Sequence, residues 1–475
     1  MRLRTPRSQR GVRIFNKVGA AVCAGHALAR ADPPKLKDVP FIRGGMIERP
    51  RGTRDLDPPY LARHGHVETA FRRTAESFGY REVLPPTFES LELFHAKAGP
   101  GIEAEMYVFK DKGGRDLVLR PELTAGVLRY YVTELRNAPK PIKLYSVGTA
   151  FRYEEPQKGR YREFWQYNSE LLGGAPLESD AETIALAVQS IRNTGVRQVE
   201  TRIGHIGMLR AYLKVGREAQ NAILHALDKR NFPMLHAELE KAGLLDAEGT
   251  LRDLIGIRGG AEVLAKAADL LGGVGTEGFD HLRRVAERLA AYGIRERVVF
   301  DMGIIRGLSY YTGMVFQIHS PNLGAEDQVG GGGSYALAEL FGGDPIFSTG
   351  FAIGMDRLVL ASEVEGVAVP PPRLDAYVIP IGEPIRAKAF EIAANLRGTG
   401  LKVDIDLVGR GPSKNLDYAN AMGARWSVII GEKELAKGNV ALRNMETGDQ
   451  REVAVSELAS VLGMDKPPMG GVEFH

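Results

Sequence analysis

AFRYEEPQKGRYREFWQYNSELLGG, residues Ala150 to Gly174, puts charged and amide groups where an ordinary pair of strands would be apolar. Its turn residues predict a hairpin, with Phe151 to Tyr153 on the outgoing strand, a basic tip from Glu155 to Arg162, and Phe164 to Leu172 on the return. Side chains alternate faces along a strand, so Gln166, Asn168 and Glu170 share one side while Trp165, Tyr167 and Leu171 share the other. One face is thus built for a polar ligand or washed by solvent, and the strand pattern leaves both readings open. Arg152, Arg160 and Arg162 weigh towards a ligand, because guanidinium groups present forked donors that match phosphate.

The wider chain sets limits. A length of 475 residues predicts two to four domains, and 44% hydrophobic with 25% charged residues is the composition of a globular protein. The single cysteine, Cys23, excludes an internal disulfide framework and a cysteine-based zinc site, which suits a reducing cytoplasm. The formal net charge is +3, yet residues 1–45 hold ten Lys/Arg against two Asp, so the rest is net negative and nucleic-acid binding must come from local patches. The stretch Val18 to Ala31 has features of a signal or transit peptide, but it is short, Ala-rich and interrupted by His26. A translated upstream region or disordered arm over residues 1–45 is the preferred expectation, with Met46 opening the folded chain. No run of 18 apolar residues occurs, so no transmembrane helix is expected.

Along the chain, Leu61, Val67, Ala70, Phe71, Ala75 and Phe78 recur at helical spacing, followed by a strand from Tyr80 to Leu84 that Pro85 and Pro86 end. An apolar run from Leu117 leads to Arg120-Pro121-Glu122, then Val127, Leu128, Tyr131, Val132 and Leu135 mark an amphipathic helix. Glu122 and Thr124 open that helix, where acidic and hydroxyl groups often serve only as caps. Residues 208–292 read as a helical insertion between strands, with Ile223, Leu224, Leu227, Leu235, Leu239, Leu244 and Leu270 as buried positions. Its Lys229, Arg230 and Lys241 are RNA contacts or a solvated helix face. A GxGxxG at Gly273 to Gly278 follows a helical stretch, so it fails as a dinucleotide fingerprint. Arg306, between aliphatic residues, is a surface group or an anion clamp. The run Gly330 to Gly333 permits a close backbone approach. After Pro370-Pro-Pro-Arg373, alternating strands and helices (Ala376 to Ile381, Glu383 to Leu396, Lys402 to Ile405, Leu416 to Met422, Trp426 to Ile430) predict an α/β domain.

These segments occur in the order of the class II aminoacyl-tRNA synthetases, and the chain from Arg49 to about Leu462 resembles the histidyl-tRNA synthetase family. FRYEEPQKGRYREFWQ resembles its motif 2, the Pro58 to Pro86 region its motif 1, and Ser348 to Leu358 its motif 3. RPELTAG at Arg120 resembles the histidine-binding RPEGTAG, in the form of archaeal members, and Arg306 to Phe316 resembles RGLxYYTGxVF. Gly331 to Ala336 is similar to AGGRYD, with Ser334 and Ala336 in place of Arg and Asp; Ser309 likewise stands where Asp is commoner. The resemblance implies an α+β fold: an antiparallel catalytic sheet with flanking helices over 46–372, and a C-terminal α/β anticodon-binding domain over 373–475. It implies histidine binding by Glu122, Leu123, Thr124, Gln166, Glu170, Tyr310, Tyr311 and Tyr335, and ATP binding, with Mg2+, by Arg152, Arg306 and Arg357, of which Arg152 and Arg306 are catalytic. Gln157, Arg160, Arg410, Lys414 and Arg425 are the implied tRNA contacts, tRNA(His) the partner, no protein-held metal is implied, and a cytoplasmic homodimer is the expected state. The competing class is the non-catalytic, synthetase-like regulatory subunit of ATP phosphoribosyltransferase, which loses active-site residues and the anticodon domain. Another class II specificity is disfavoured by RGLSYYTG.

Overall fold

The computed structural model describes residues 48–98, 100–155, 160–294, 298–305 and 310–464; Gln157, Arg306, Ser309 and the 1–45 extension fall outside them. Residues 48–50 carry no regular secondary structure. From Arg51 onward the main element is a nine-stranded sheet, in the spatial order Arg81–Glu82, Ile142–Phe151, Glu163–Leu172, Ser348–Gly354, Gln328–Tyr335, Tyr311–His319, Glu200–His205, Val298–Asp301, Arg258–Gly259. Its six central strands pair antiparallel throughout, and parallel pairs occur only towards the two edges.

Alternation along Glu163–Leu172 is realised as expected. Tyr167 and Leu171 face the helix layer, where the Tyr167 ring lies 4.5 Å from that of Phe71 on the helix Pro58–Ser77. Burying an apolar side chain such as Phe71 or Leu171 contributes roughly 1.5–3 kcal/mol. The helix itself starts where Asp57 accepts from the Tyr60 amide and Pro58 supplies a first-turn residue that needs no N–H partner. On the other face, Gln166, Asn168 and Glu170 are buried, so the solvent-washed reading is overturned.

The helical insertion runs from Ile206–Leu213 to Thr276–Ala291 and shares the apolar core of the sheet instead of forming a separate one. Leu244 and Leu270 are only partly buried there, packed at its margin. A smaller five-stranded sheet, ordered Val403–Ile405, Ala376–Pro380, Trp426–Ile430, Asn439–Asn444, Gln450–Ala454, has its own core around Val378, Ile392 and Val428. Its first three strands are parallel, as the α/β rhythm predicts; the two antiparallel strands that complete it are an addition. The strand expected over Tyr80 to Leu84 shrinks to Arg81–Glu82, because it has a single parallel partner and the prolines end it. Among the described residues no helix is long and apolar enough to cross a membrane.

One buried ion pair ties distant parts of this sheet together. Asp356, on the helix Met355–Val364, accepts from Arg54 and Tyr60 and, through its other oxygen, from the Trp165 amide at 3.0 Å. Breaking such a pair strands a buried charge at a cost of about 3 kcal/mol. Arg54→Met and Asp356→Asn are each expected to lower the urea midpoint accordingly, and the double variant to recover part of the loss; additive losses would show that the two groups are uncoupled.

Candidate active site

Gln166 and Glu170 of the buried polar row line a cavity of about 440 Å³. The register makes room for it. Opposite Gln166, Asn168 and Glu170 the neighbouring strand presents Gly354, Ala352 and Gly350, and cross-strand partners share a face. A Cβ built on Gly350 would collide with the Glu170 carboxylate, so the glycine is a condition for the acid being there. Glycine has a second purpose in Gly330 to Gly333. Gly330 and Gly331 line the cavity, but side chains at Gly330 and Gly332 would meet the backbone of the adjacent strand, so strand packing requires glycine there as well.

Glu170 is 1% exposed. Tyr335 donates its hydroxyl to one oxygen, and the Asn168 amide donates to the other at 3.0 Å and to Thr124 Oγ1 at 2.9 Å. Burial pushes the Glu170 carboxyl up to about 7 against the pull of these donors. The same burial, with the carboxylate beside it, holds the Tyr335 phenol well above its usual range. Tyr310, Tyr311 and Tyr335 make an aromatic wall, with ring centroids 4.6 Å apart for the first two.

Glu122 shows the opposite balance. Burial alone would raise it, but the ammonium of Lys97 at 2.9 Å, the Ala125 amide at 2.9 Å and the nearby Arg152 bring it below the usual carboxylate range. It therefore caps its helix and lines the cavity at once. Gln166 accepts from the Leu123 amide at 3.1 Å. Leu123 does not line the cavity: its side chain is fully buried, and its N–H is what reaches the site.

Cations line the remaining wall. Arg152 donates to the Pro121 carbonyl at 3.0 Å and packs over Phe164, Arg357 donates to the Gln328 carbonyl, and Arg160 joins them at the hairpin tip. The Glu122 and Glu170 carboxylates, an aromatic wall and three arginines in one cavity suit a small zwitterion with a polar ring next to a polyphosphate.

A profile of histidyl-tRNA synthetase matches residues 52–358, and one of the anticodon-binding domain matches 375–463. The chain belongs to the histidyl-tRNA synthetase family. Histidine–tRNA ligase of Archaeoglobus fulgidus is 42% identical over 88% of this chain and 99% of its own length; that of Methanosphaerula palustris is 44% identical over 86% and 97%. Among solved structures, apo histidyl-tRNA synthetase of S. aureus superposes with a TM-score of 0.67 at 26% identity, covering 88% of this chain and all of that one. A Bacillus halodurans protein described as an ATP phosphoribosyltransferase regulatory subunit/histidyl-tRNA synthetase reaches 0.66 at 26% identity, covering 79% and 96%.

Within this histidyl-tRNA synthetase fold, three features were not foreseen from sequence. Lys97 lines the cavity from the helix Leu91–Ala98, and Asp356 reaches it beside Arg357. Ser334, standing where the family pattern has arginine, is buried and donates to Asp180 on the helix Pro176–Asn193; Asp180 also pairs with His281 of the insertion at 2.8 Å. Of the implied tRNA contacts, Arg410 pairs with Asp406 and lies over the Tyr418 ring, Lys414 is exposed, and both belong to the five-stranded sheet's unit, outside the cavity.

The raised carboxyl yields a stability test. Because the folded value, about 7, lies above the 4.5 of an ordinary glutamate, the Glu170 proton stabilises the fold fully below about pH 4.5, and that contribution is lost as pH rises through 7. The loss amounts to about 3 kcal/mol. Glu170→Gln is expected to melt higher than the parent near pH 8, with the gap closing towards pH 4.5, while histidine activation collapses; an equal melting shift at both ends would refute the buried-acid account.

Proposed function

We infer that this protein is a histidine–tRNA ligase, which activates L-histidine with ATP to histidyl-adenylate and transfers the histidyl group to the 3′ end of tRNA(His). The observation that carries the reading is the buried Glu170, enclosed by Tyr335, Asn168 and Thr124 and facing the aromatic wall. A carboxylate there accepts an imidazole N–H, and an apolar amino acid would leave it buried and unpaired, which is the kind of penalty that gives large discrimination. Tyr311 flanks the same ring, and Glu122 with Thr124 and Gln166 receives the α-ammonium.

In the first step the histidine carboxylate attacks the α-phosphorus of ATP, forming the acyl phosphate anhydride and releasing pyrophosphate. In the second, a terminal ribose hydroxyl of tRNA attacks the acyl carbon and AMP leaves. Neither step needs a protein nucleophile; both need alignment and neutralisation of phosphate charge. We assign that work to Arg152 and Arg357, joined by Arg306 from the segment that resembles RGLxYYTGxVF. ATP enters as its magnesium complex, with Mg2+ carried by the phosphates as part of the substrate.

The catalytic part is taken to span 46–372, with the insertion at 208–292 and the hairpin tip, including Gln157 and Arg160, approaching the acceptor end. Residues 373–475 form the anticodon-binding part, with Arg410, Lys414 and Arg425 towards RNA. The enzyme is proposed to act as a cytoplasmic homodimer through the motif 1 helix.

Pyrophosphate exchange into ATP is expected with histidine and with no other proteinogenic amino acid. Folded protein that gives no exchange would move the reading to the regulatory class. Arg357→Gln is expected to lower kcat/KM for ATP by about 10²–10³, with histidine affinity retained.

A further inference from the structure

The carboxylate of Glu122 is not waiting empty. Lys97 has a side chain only 6% exposed, its Nζ lies 2.9 Å from Glu122 Oε1, and it stands 4.7 Å from the centre of the Tyr310 ring. An ammonium hydrogen-bonded to an acid and set over an aromatic face is the environment that the substrate's own α-ammonium would seek. Oε1 of Glu122 also accepts from the Ala125 amide, and two cations on one such acid repel each other.

We propose that Lys97 is a placeholder for the α-ammonium of the amino acid, occupying Glu122 in the empty site and leaving it when histidine enters. This rests on the assignment of Glu122 as the ammonium acceptor. The exchange solves a physical problem of the free enzyme. A buried carboxylate without a partner takes up a proton and then offers nothing to a cation, whereas one held by Lys97 stays ionised. Lysine suits the task, since its flexible four-carbon stem lets the ammonium swing away while the helix Leu91–Ala98 stays in place. The consequence is selectivity. A ligand with an amine replaces one charge-assisted hydrogen bond by another, and a ligand without one has no means of displacing the lysine.

Calorimetric titration of the full chain tests this with three probes: L-histidine, histidinol, which keeps the amine and lacks the carboxylate, and imidazolepropionate, which lacks the amine. At about pH 8, Lys97→Met is expected to bind histidine and histidinol about tenfold tighter than the parent, with imidazolepropionate unchanged. The gain shrinks towards about pH 6, as the unpaired Glu122 takes up a proton. Lys97→Gln keeps a donor to Glu122 and serves if the methionine variant does not fold; it shifts the same ratio in the same direction by less. Weaker binding of histidine and imidazolepropionate alike would make Lys97 a ligand of the substrate carboxylate and overturn the proposal, as would unchanged binding of all three. Glu122→Gln separates the premise: it should abolish the preference for histidine over imidazolepropionate, and a preserved preference would show that Glu122 is not the ammonium acceptor, whatever Lys97 does.

Discussion

A carboxyl group in the middle of a nine-stranded sheet imposes its terms on everything around it. Glu170 needs space, which only a residue without a Cβ at position 350 provides, and it needs donors, which come from Tyr335 two strands away and Asn168 on its own strand. It also needs its register held, since a slip of one residue would send Glu170 into the apolar helix layer and Tyr167 into the cavity. The antiparallel pairing on both sides, Leu144 and Gly350 opposite Glu170, holds that register. Much of the central sheet can be understood as the scaffold that this one acid requires.

The two acids of the site are tuned in opposite directions by the character of their neighbours. Burial raises Glu170 to about 7 against the pull of its neutral donors, whereas Lys97 and Arg152 help bring Glu122 below the usual carboxylate range. Environments that push paired titratable groups apart are how one pocket assigns them different tasks. Here the Glu170 end is suited to a neutral polar group and the Glu122 end to a positive charge.

What the sequence disclosed was local. The hairpin alternation placed Gln166, Asn168 and Glu170 together because a period of two needs only neighbouring residues, and the 3.6-residue spacing located the helix Pro58–Ser77 for the same reason. Motif resemblance supplied Glu122, the tyrosines and Arg357, all of which line the cavity. Invisible were the pairs made across the chain: Arg54 with Asp356, Ser334 with Asp180, Lys97 with Glu122. No periodicity links such positions, and a single lysine in LELFHAKAGPG has the look of helix surface until the fold turns it inward. The glycine run was legible as close approach, but that the approach includes a neighbouring strand depends on the pairing of Gln328–Tyr335 with Ser348–Gly354.

That pairing order also bears on synthesis. The strand Glu163–Leu172 meets its hairpin partner at once, yet its other neighbour starts at Ser348, so on the ribosome its open edge persists on the order of ten seconds before the second partner emerges. An unpaired edge in the middle of a future core is a template for pairing with other chains, and charged residues pointing from it are a known protection. Glu170, flanked by Asn168 and Gln166, points a charge from that strand, so the polar row that is buried in the finished sheet also disfavours such pairing while the nascent chain is incomplete.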